Sequence, residues 1–191
     1  MRVVHRMISL QQLPNIMKRI LAFVFAVLFS AVAVAVDSAH QSAPPEWQYV
    51  GMHSYEQEKP GLGVSHRYRA AFGWADVYIY SLQHEGPWAP GVSDPAFDAH
   101  FKSTIGDVQQ YAKSGDYADL RIGEIRDMKI SGHDFRTIQF QFVRNGRAIE
   151  SATYLTAANG RLLKYRMSFF APVVPSLDEA ARKFVEQSLR E

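Results

Sequence analysis

The sequence predicts an α+β fold: a central antiparallel sheet ending in a three-stranded meander, with two main helices packed on it. Three observations carry this. Residues 135 to 170 hold three β-like runs separated by Asn145-Gly146 and Asn159-Gly160, and Asn-Gly between apolar runs is a strong hairpin signal. Phe97, Phe101, Ile105, Val108 and Ala112 recur at helical spacing. Ser176-Leu177-Asp178-Glu179 is a capping box that opens a second helix. Strands, helix, meander, helix is an α+β order.

The elements follow in chain order. Residues 49 to 57 are expected to form an edge strand. Gly63 to Ala71 alternates Val64, His66, Tyr68 and Ala70 against Ser65, Arg67 and Arg69. Trp74 to Leu82 is apolar on both faces, as in a covered central strand. The loop from Gln83 to Val92 has Gly and Pro punctuation around Trp88. A loop tryptophan anchors a partner or folds back as a lid on the core. Asp94 and Pro95 suit the N-cap and first position of a helix reaching Ser114, and Gly115 suits its C-terminal cap. Residues 118 to 130 read as a strand broken or bulged at Gly123. In the final helix Leu177, Ala181, Phe184, Val185 and Leu189 form the buried stripe.

Side-chain alternation bears on the meander's register. Ile138, Phe140 and Phe142 share one face, as do Tyr165, Met167 and Phe169. A two-residue loop at Asn159-Gly160 sets Tyr154 opposite Tyr165 and Ala152 opposite Met167. At Asn145-Gly146 the same loop sets Phe140 beside Ser151, splitting the apolar rows. A three-residue loop with Gly146 in a G1 bulge sets Phe140 beside Glu150 and Ile138 beside Ala152. A one-residue slip flips every side chain, so burial favours the bulged loop, with the two-residue type I′ turn as the alternative.

Composition bounds the rest. The chain has 191 residues, 47% of them hydrophobic and 21% charged, which is globular. Met17-Lys18-Arg19 followed by the apolar run from Ile20 to Val36 reads as an export signal with cleavage after Ala35; Met17 is a candidate start. An uncleaved anchor is the alternative and the one route to a membrane. Residues 36 to 48 are small, polar and Pro-rich and read as a tether, leaving 49 to 191 as one domain. Removing residues 1 to 35 takes Arg2, Arg6, Lys18 and Arg19 and no acid, leaving 17 basic and 19 acidic residues and a formal charge of −2. Nothing there suggests a nucleic-acid-binding field. Zero cysteines excludes disulfides and thiolate metal sites.

The run TYLTAANGRLLKYRMSFFAPVVPSLDEAARKFVEQSL resembles the closing hairpin and helix of the PsbP-like fold, found in small exported bacterial proteins. The resemblance spans about residues 63 to 190 and rests on element order and apolar pattern. It implies a central antiparallel sheet with helices on both sides. The usual Gly-Phe and Pro-x-x-Trp landmarks are missing, so neither a photosystem role nor any family site residue carries over.

No catalytic signature emerges. His40, His53, His66, His84, His100 and His133 lack metal-ligand spacing. There is no G-x-S-x-G elbow and no phosphate loop, so neither a metal nor a cofactor is expected. The candidate binding surface is the meander's polar face: Gln139, Gln141, Ser151, Thr153, Lys164 and Arg166, with Trp88 as a second candidate. An uncovered face of this kind is a hydrogen-bonding platform with two cations, or plain solvated sheet. The expected function is an exported, non-enzymatic binding or accessory module that recognises an acidic or hydrogen-bonding partner, a protein in the cell envelope. The rivals are an envelope hydrolase with a dispersed site and an immunity-type inhibitor.

Overall fold

The computed structural model describes residues 44 to 174 and 176 to 189. The signal reading with its Ala35 cleavage site, and the tether as far as Ala43, lie outside them. Eight strands form one antiparallel sheet: β1 (Gln48–Ser54), β2 (Val64–Ala70), β3 (Gly73–Tyr80), β4 (Ala118–Ile122), β5 (Arg126–Ile130), β6 (His133–Arg144), β7 (Arg147–Ala158) and β8 (Arg161–Phe170). Helix α1 (Phe97–Lys113) precedes β4, and α2 (Leu177–Ser188) follows β8. The strand order is β1-β2-β3-β8-β7-β6-β4, with β5 also on β6. β4 and β5 are the two halves of the strand expected from 118 to 130. They part at Gly123, whose N–H donates to the Gln139 carbonyl at 2.9 Å.

The β6–β7 register corrects the bulged-loop expectation. Arg144 pairs Arg147, Phe140 pairs Ser151 and Ile138 pairs Thr153. The loop is therefore the two residues Asn145 and Gly146, both left-handed at φ 52° and 72°, as a type I′ turn requires. The β7–β8 register is the one expected, with Tyr154 opposite Tyr165 and Ala152 opposite Met167. The apolar rows are consequently split between the faces. Ile138, Phe140 and Phe142 pack with Phe97, Phe101 and Val108 of α1. Ala152, Tyr154, Tyr165 and Met167 pack with Ala181, Phe184 and Val185 of α2. The sheet is sandwiched and has two cores.

Each helix is fixed locally. The Ser176 hydroxyl accepts the Glu179 N–H at 3.2 Å, as the capping box predicts. Asp94 accepts the N–H groups of Ala96 and Ala89 at 2.9 and 3.2 Å ahead of α1. These bonds hold its carboxyl below the usual range. Arg136 of β6 clamps the start of α1. It donates to both oxygens of Asp127 at 2.7 and 2.9 Å and bonds Asp98. Its guanidinium also lies over the rings of Phe97 and Phe101.

The tether reading fails over its last residues. Pro44 is buried, and Trp47, 7% exposed, meets Phe72, Phe169 and Phe184 edge-on at 5.4, 5.9 and 5.0 Å. Nearby, Glu46 pairs with Lys183 of α2 at 2.8 Å. The ordered fold thus starts before β1. Trp47→Ala should cost about 3–5 kcal/mol in urea unfolding, the usual range for a buried aromatic. Val50→Ala, on a side chain 55% exposed, should change stability by less than about 0.5 kcal/mol. Equal small effects would restore the tether.

Candidate functional site

The polar face expected to be open is divided between the two sides of the sheet. Gln139 and Gln141 pair with Ala152 and Glu150 and so share the side of α2. Gln139 is tied to Asp178 there. Ser151 and Thr153 are buried on the side of α1. The Ser151 hydroxyl meets the Met167 carbonyl and the Ser168 hydroxyl at 2.8 and 2.9 Å. Lys164 and Arg166 belong to this side too, half-buried. The platform of six residues does not exist. Trp88 is also unavailable to a partner. It is 3% exposed, its indole N–H donates to the Ser81 carbonyl at 2.8 Å, and His84 stacks on it at 4.1 Å. It is the lid of the α1 core.

What the fold assembles instead is a cavity of about 570 Å³ between the α1 side of the sheet and the C-terminal end of that helix. One wall is Arg67 and Arg69 of β2 with Trp74, Asp76 and Tyr78 of β3. Arg166, Ser168 and Phe170 of β8 form the floor. Arg144, Asn145, Arg147 and Ile149 of the β6–β7 hairpin form the other wall, and Tyr111 and Tyr117 complete the lining. The strand registers explain the gathering. Arg67 pairs Asp76, which pairs Arg166. Arg144 and Arg147 face each other across the type I′ turn, so both point to the same side.

Five guanidinium groups thus line one concavity with a single carboxylate. Arg67 spends its Nε on Asp76 at 2.7 Å, which raises its affinity for the proton still further. Among the described residues no ion pair holds Arg69, Arg144, Arg147 or Arg166. The Nη2 of Arg166 is buried with no hydrogen-bond partner among them. Aromatic rings hold these groups instead. Arg147 lies 3.5 Å over Phe170, Arg69 5.7 Å over Trp74, and Arg144 5.9 Å over Tyr117. Arg166 lies between Tyr117 and Phe140 at 6.0 and 5.7 Å. Cation–π attraction at these distances offsets part of the charge without using the N–H groups, which remain able to grip a carboxylate or phosphate.

The sequence reading placed Arg166 among its candidates but passed over the other four. Two signals were available. Arg67 and Arg69 share a face by period two, and Arg144 and Arg147 flank an Asn-Gly turn. Lys164 does not line the cavity. It lies beneath α1, 4.4 and 5.6 Å over the rings of Tyr78 and Tyr80. Tyr80 bonds His100 at 2.7 Å, and desolvation followed by the Lys164 charge lowers His100 to about 4. Among the described residues no cluster of three or more His, Asp or Glu is placed to hold a metal ion. No helix among them is long and apolar enough to cross a membrane.

Lys164 gives a pH test of this packing. Burial, then the Arg166 charge, pushes its ammonium down to about 8, against opposing pulls from Asp107 and Asp76. The unfolded chain then binds the extra proton from about 8 up to the ordinary value of 10.5. This group's contribution to stability therefore rises with pH across that window. Below about 8 the charged form carries its full penalty, about 3 kcal/mol at 1.36 kcal/mol per unit. Lys164→Met should be more stable than the parent by about 2–3 kcal/mol at pH 7, and the gap should close as the pH approaches 10.5. A gap independent of pH in chemical denaturation would assign the strain to another group.

No family model and no curated protein matches the chain. Among solved structures, the chain is similar to cyanobacterial PsbP (CyanoP) from Synechocystis, at 16% identity and a TM-score of 0.48, over 75% of this chain and 81% of that one. It is also similar to a protein of unknown function and candidate regulator from Pseudomonas aeruginosa, at 16% identity and a TM-score of 0.39, over 78% of this chain and 88% of that one.

Proposed function

We propose that this protein is an exported, non-enzymatic accessory module that binds an anionic ligand in its arginine-lined cavity. The observation that carries the reading is the set of four guanidinium groups, each beside an aromatic ring and with no carboxylate partner among the described residues. Clustered like charges destabilise a fold, so their presence argues for a counter-charge supplied from outside. Binding is favoured over catalysis by the chemistry of the lining. Guanidinium groups do not release protons in the physiological range. The one carboxylate, Asp76, is engaged by Arg67, and the Ser168 hydroxyl meets Ser151. The concave site supports a ligand inserted between strands and helix alongside the expected protein partner.

Charge bookkeeping makes the reading testable. The chain from Val36 has a formal charge of −2, so retention on an immobilised sulfated polysaccharide requires a local basic site. The parent protein should be retained and elute with salt. Arg147→Ala/Arg166→Ala should pass near the void, while Arg126→Ala and Gln139→Ala/Gln141→Ala should elute with the parent. Retention with equal elution of all the proteins would remove the cavity from the function. Export has its own check. A fusion to an enzyme active only outside the cytoplasm should be active, with a mature amino terminus near Val36. An intact precursor in the cytosol would overturn that part.

A further inference from the structure

The anion reading above leaves the ligand's class open, and the cavity's charge count and ring contacts narrow it. Five arginines and Asp76 give the lining a formal charge of +4. A single carboxylate or orthophosphate would leave much of this uncompensated. The cationic groups are also spread. They come from β2, β8, β7 and β6, and β2 and β6 stand four strand spacings apart, about 19 Å. They also lie by separate rings, Arg69 by Trp74, Arg147 over Phe170, and Arg144 and Arg166 by Tyr117.

Most of the lining rings already carry a cation of the protein. Trp74 and Phe170 each carry a guanidinium. Tyr117 carries two and stacks on Phe142 at 4.0 Å. Tyr78 takes the Lys164 ammonium and stacks on Tyr55 at 6.5 Å. Tyr111, 49% exposed and tilted on Tyr117 at 5.2 Å, is the lining ring that carries no cation among the described residues, so one free ring stands beside five guanidinium groups and charge dominates the lining. A volume of about 570 Å³ is in the range of small-molecule sites.

Resting on the anion-binding reading, we propose that the cavity binds a small hydrophilic polyanion with three or more negative charges, an oligophosphate or a polycarboxylate, through simultaneous contact with both arginine walls. Each multivalent ligand replaces several separate counter-ions, so its affinity exceeds that of the corresponding single anion by more than its charge ratio.

Isothermal titration at constant ionic strength tests this with four probes: tripolyphosphate, citrate, orthophosphate and acetate. Tripolyphosphate, citrate or both should bind at least about tenfold tighter than the single anions, and the better of the two identifies phosphate or carboxylate as the preferred group. Arg147→Ala and Arg69→Ala, which act on different walls, should each weaken that binding about tenfold or more, one charge-assisted contact apiece. Arg126→Ala should not. Circular dichroism and melting of the free variants show that they fold; removal of an unpaired cation should leave the melting temperature unchanged or higher. Orthophosphate binding as tightly as tripolyphosphate would overturn the multivalent site while leaving the anion reading intact. Polyanion binding indifferent to both cavity variants would overturn it by placing the ligand elsewhere. Retention on the sulfated polysaccharide without binding of any small probe would also overturn it, in favour of a polymeric acidic partner. Neither retention nor probe binding would remove both readings.

Discussion

The left-handed pair Asn145 and Gly146, at φ 52° and 72°, is the constraint on which the rest of the molecule depends. It closes the β6–β7 hairpin in two residues and so sets Phe140 opposite Ser151. With that register the apolar row of β6 faces one way and the rows of β7 and β8 face the other. Neither side can be left to solvent, because each exposes half of an aromatic core. Two helices are therefore required, α1 over Ile138, Phe140 and Phe142, and α2 over Tyr154, Tyr165 and Met167. An extra residue in the turn would flip β6 and pile both rows on one side. It would also send Arg144 away from Arg147 and dismantle one wall of the cavity.

The same register makes the α1 side chemically mixed, and the polar part is accommodated group by group. Ser151 and Ser168 satisfy each other and the Met167 carbonyl. Asp76 is neutralised by Arg67. Lys164 yields by lowering its proton affinity and by resting on Tyr78 and Tyr80. Arg166 has no such outlet, since a guanidinium stays charged. Its buried Nη2 meets no acceptor among the described residues, which is costly. The ordered segment at Pro44 to Trp47, the Arg136 clamp and the two aromatic cores supply stability against that expense.

The fold was legible in the sequence wherever the signal was local. The capping box at Ser176, the break at Gly123, the stripe of Phe97, Phe101 and Val108, and the two Asn-Gly turns each depend on residues within one or two turns of each other. The register of β6 was not legible, because Trp74 to Leu82 and the meander carry apolar residues on both faces. Burial then fails to choose between a bulged loop and a tight turn, and the turn's own chemistry decides. Trp47 was hidden by its neighbours, since Pro44-Pro45-Glu46 has the composition of a linker even where it packs. The site was least legible of all. Arg67 and Arg166 are neighbours only because β3 lies between β2 and β8, and no sequence window spans a hundred residues.

The aromatic rings explain how such a site stays concave and polar at once. A free arginine carries substantial rotamer entropy, on the order of 2 kcal/mol, and would collapse onto the nearest carboxylate or extend into water. Cation–π attraction to Trp74, Phe170 and Tyr117 favours the positions they hold before any ligand arrives. It leaves their N–H groups for hydrogen bonds. Lysine is less suited to this role, because Lys164 on this side responds to its surroundings by lowering its proton affinity. Arginine cannot relieve the mutual repulsion by titrating. The remaining relief is a counter-ion, so occupancy of the cavity and stability of the fold are linked, and any anion that fits both walls stabilises the folded chain by mass action.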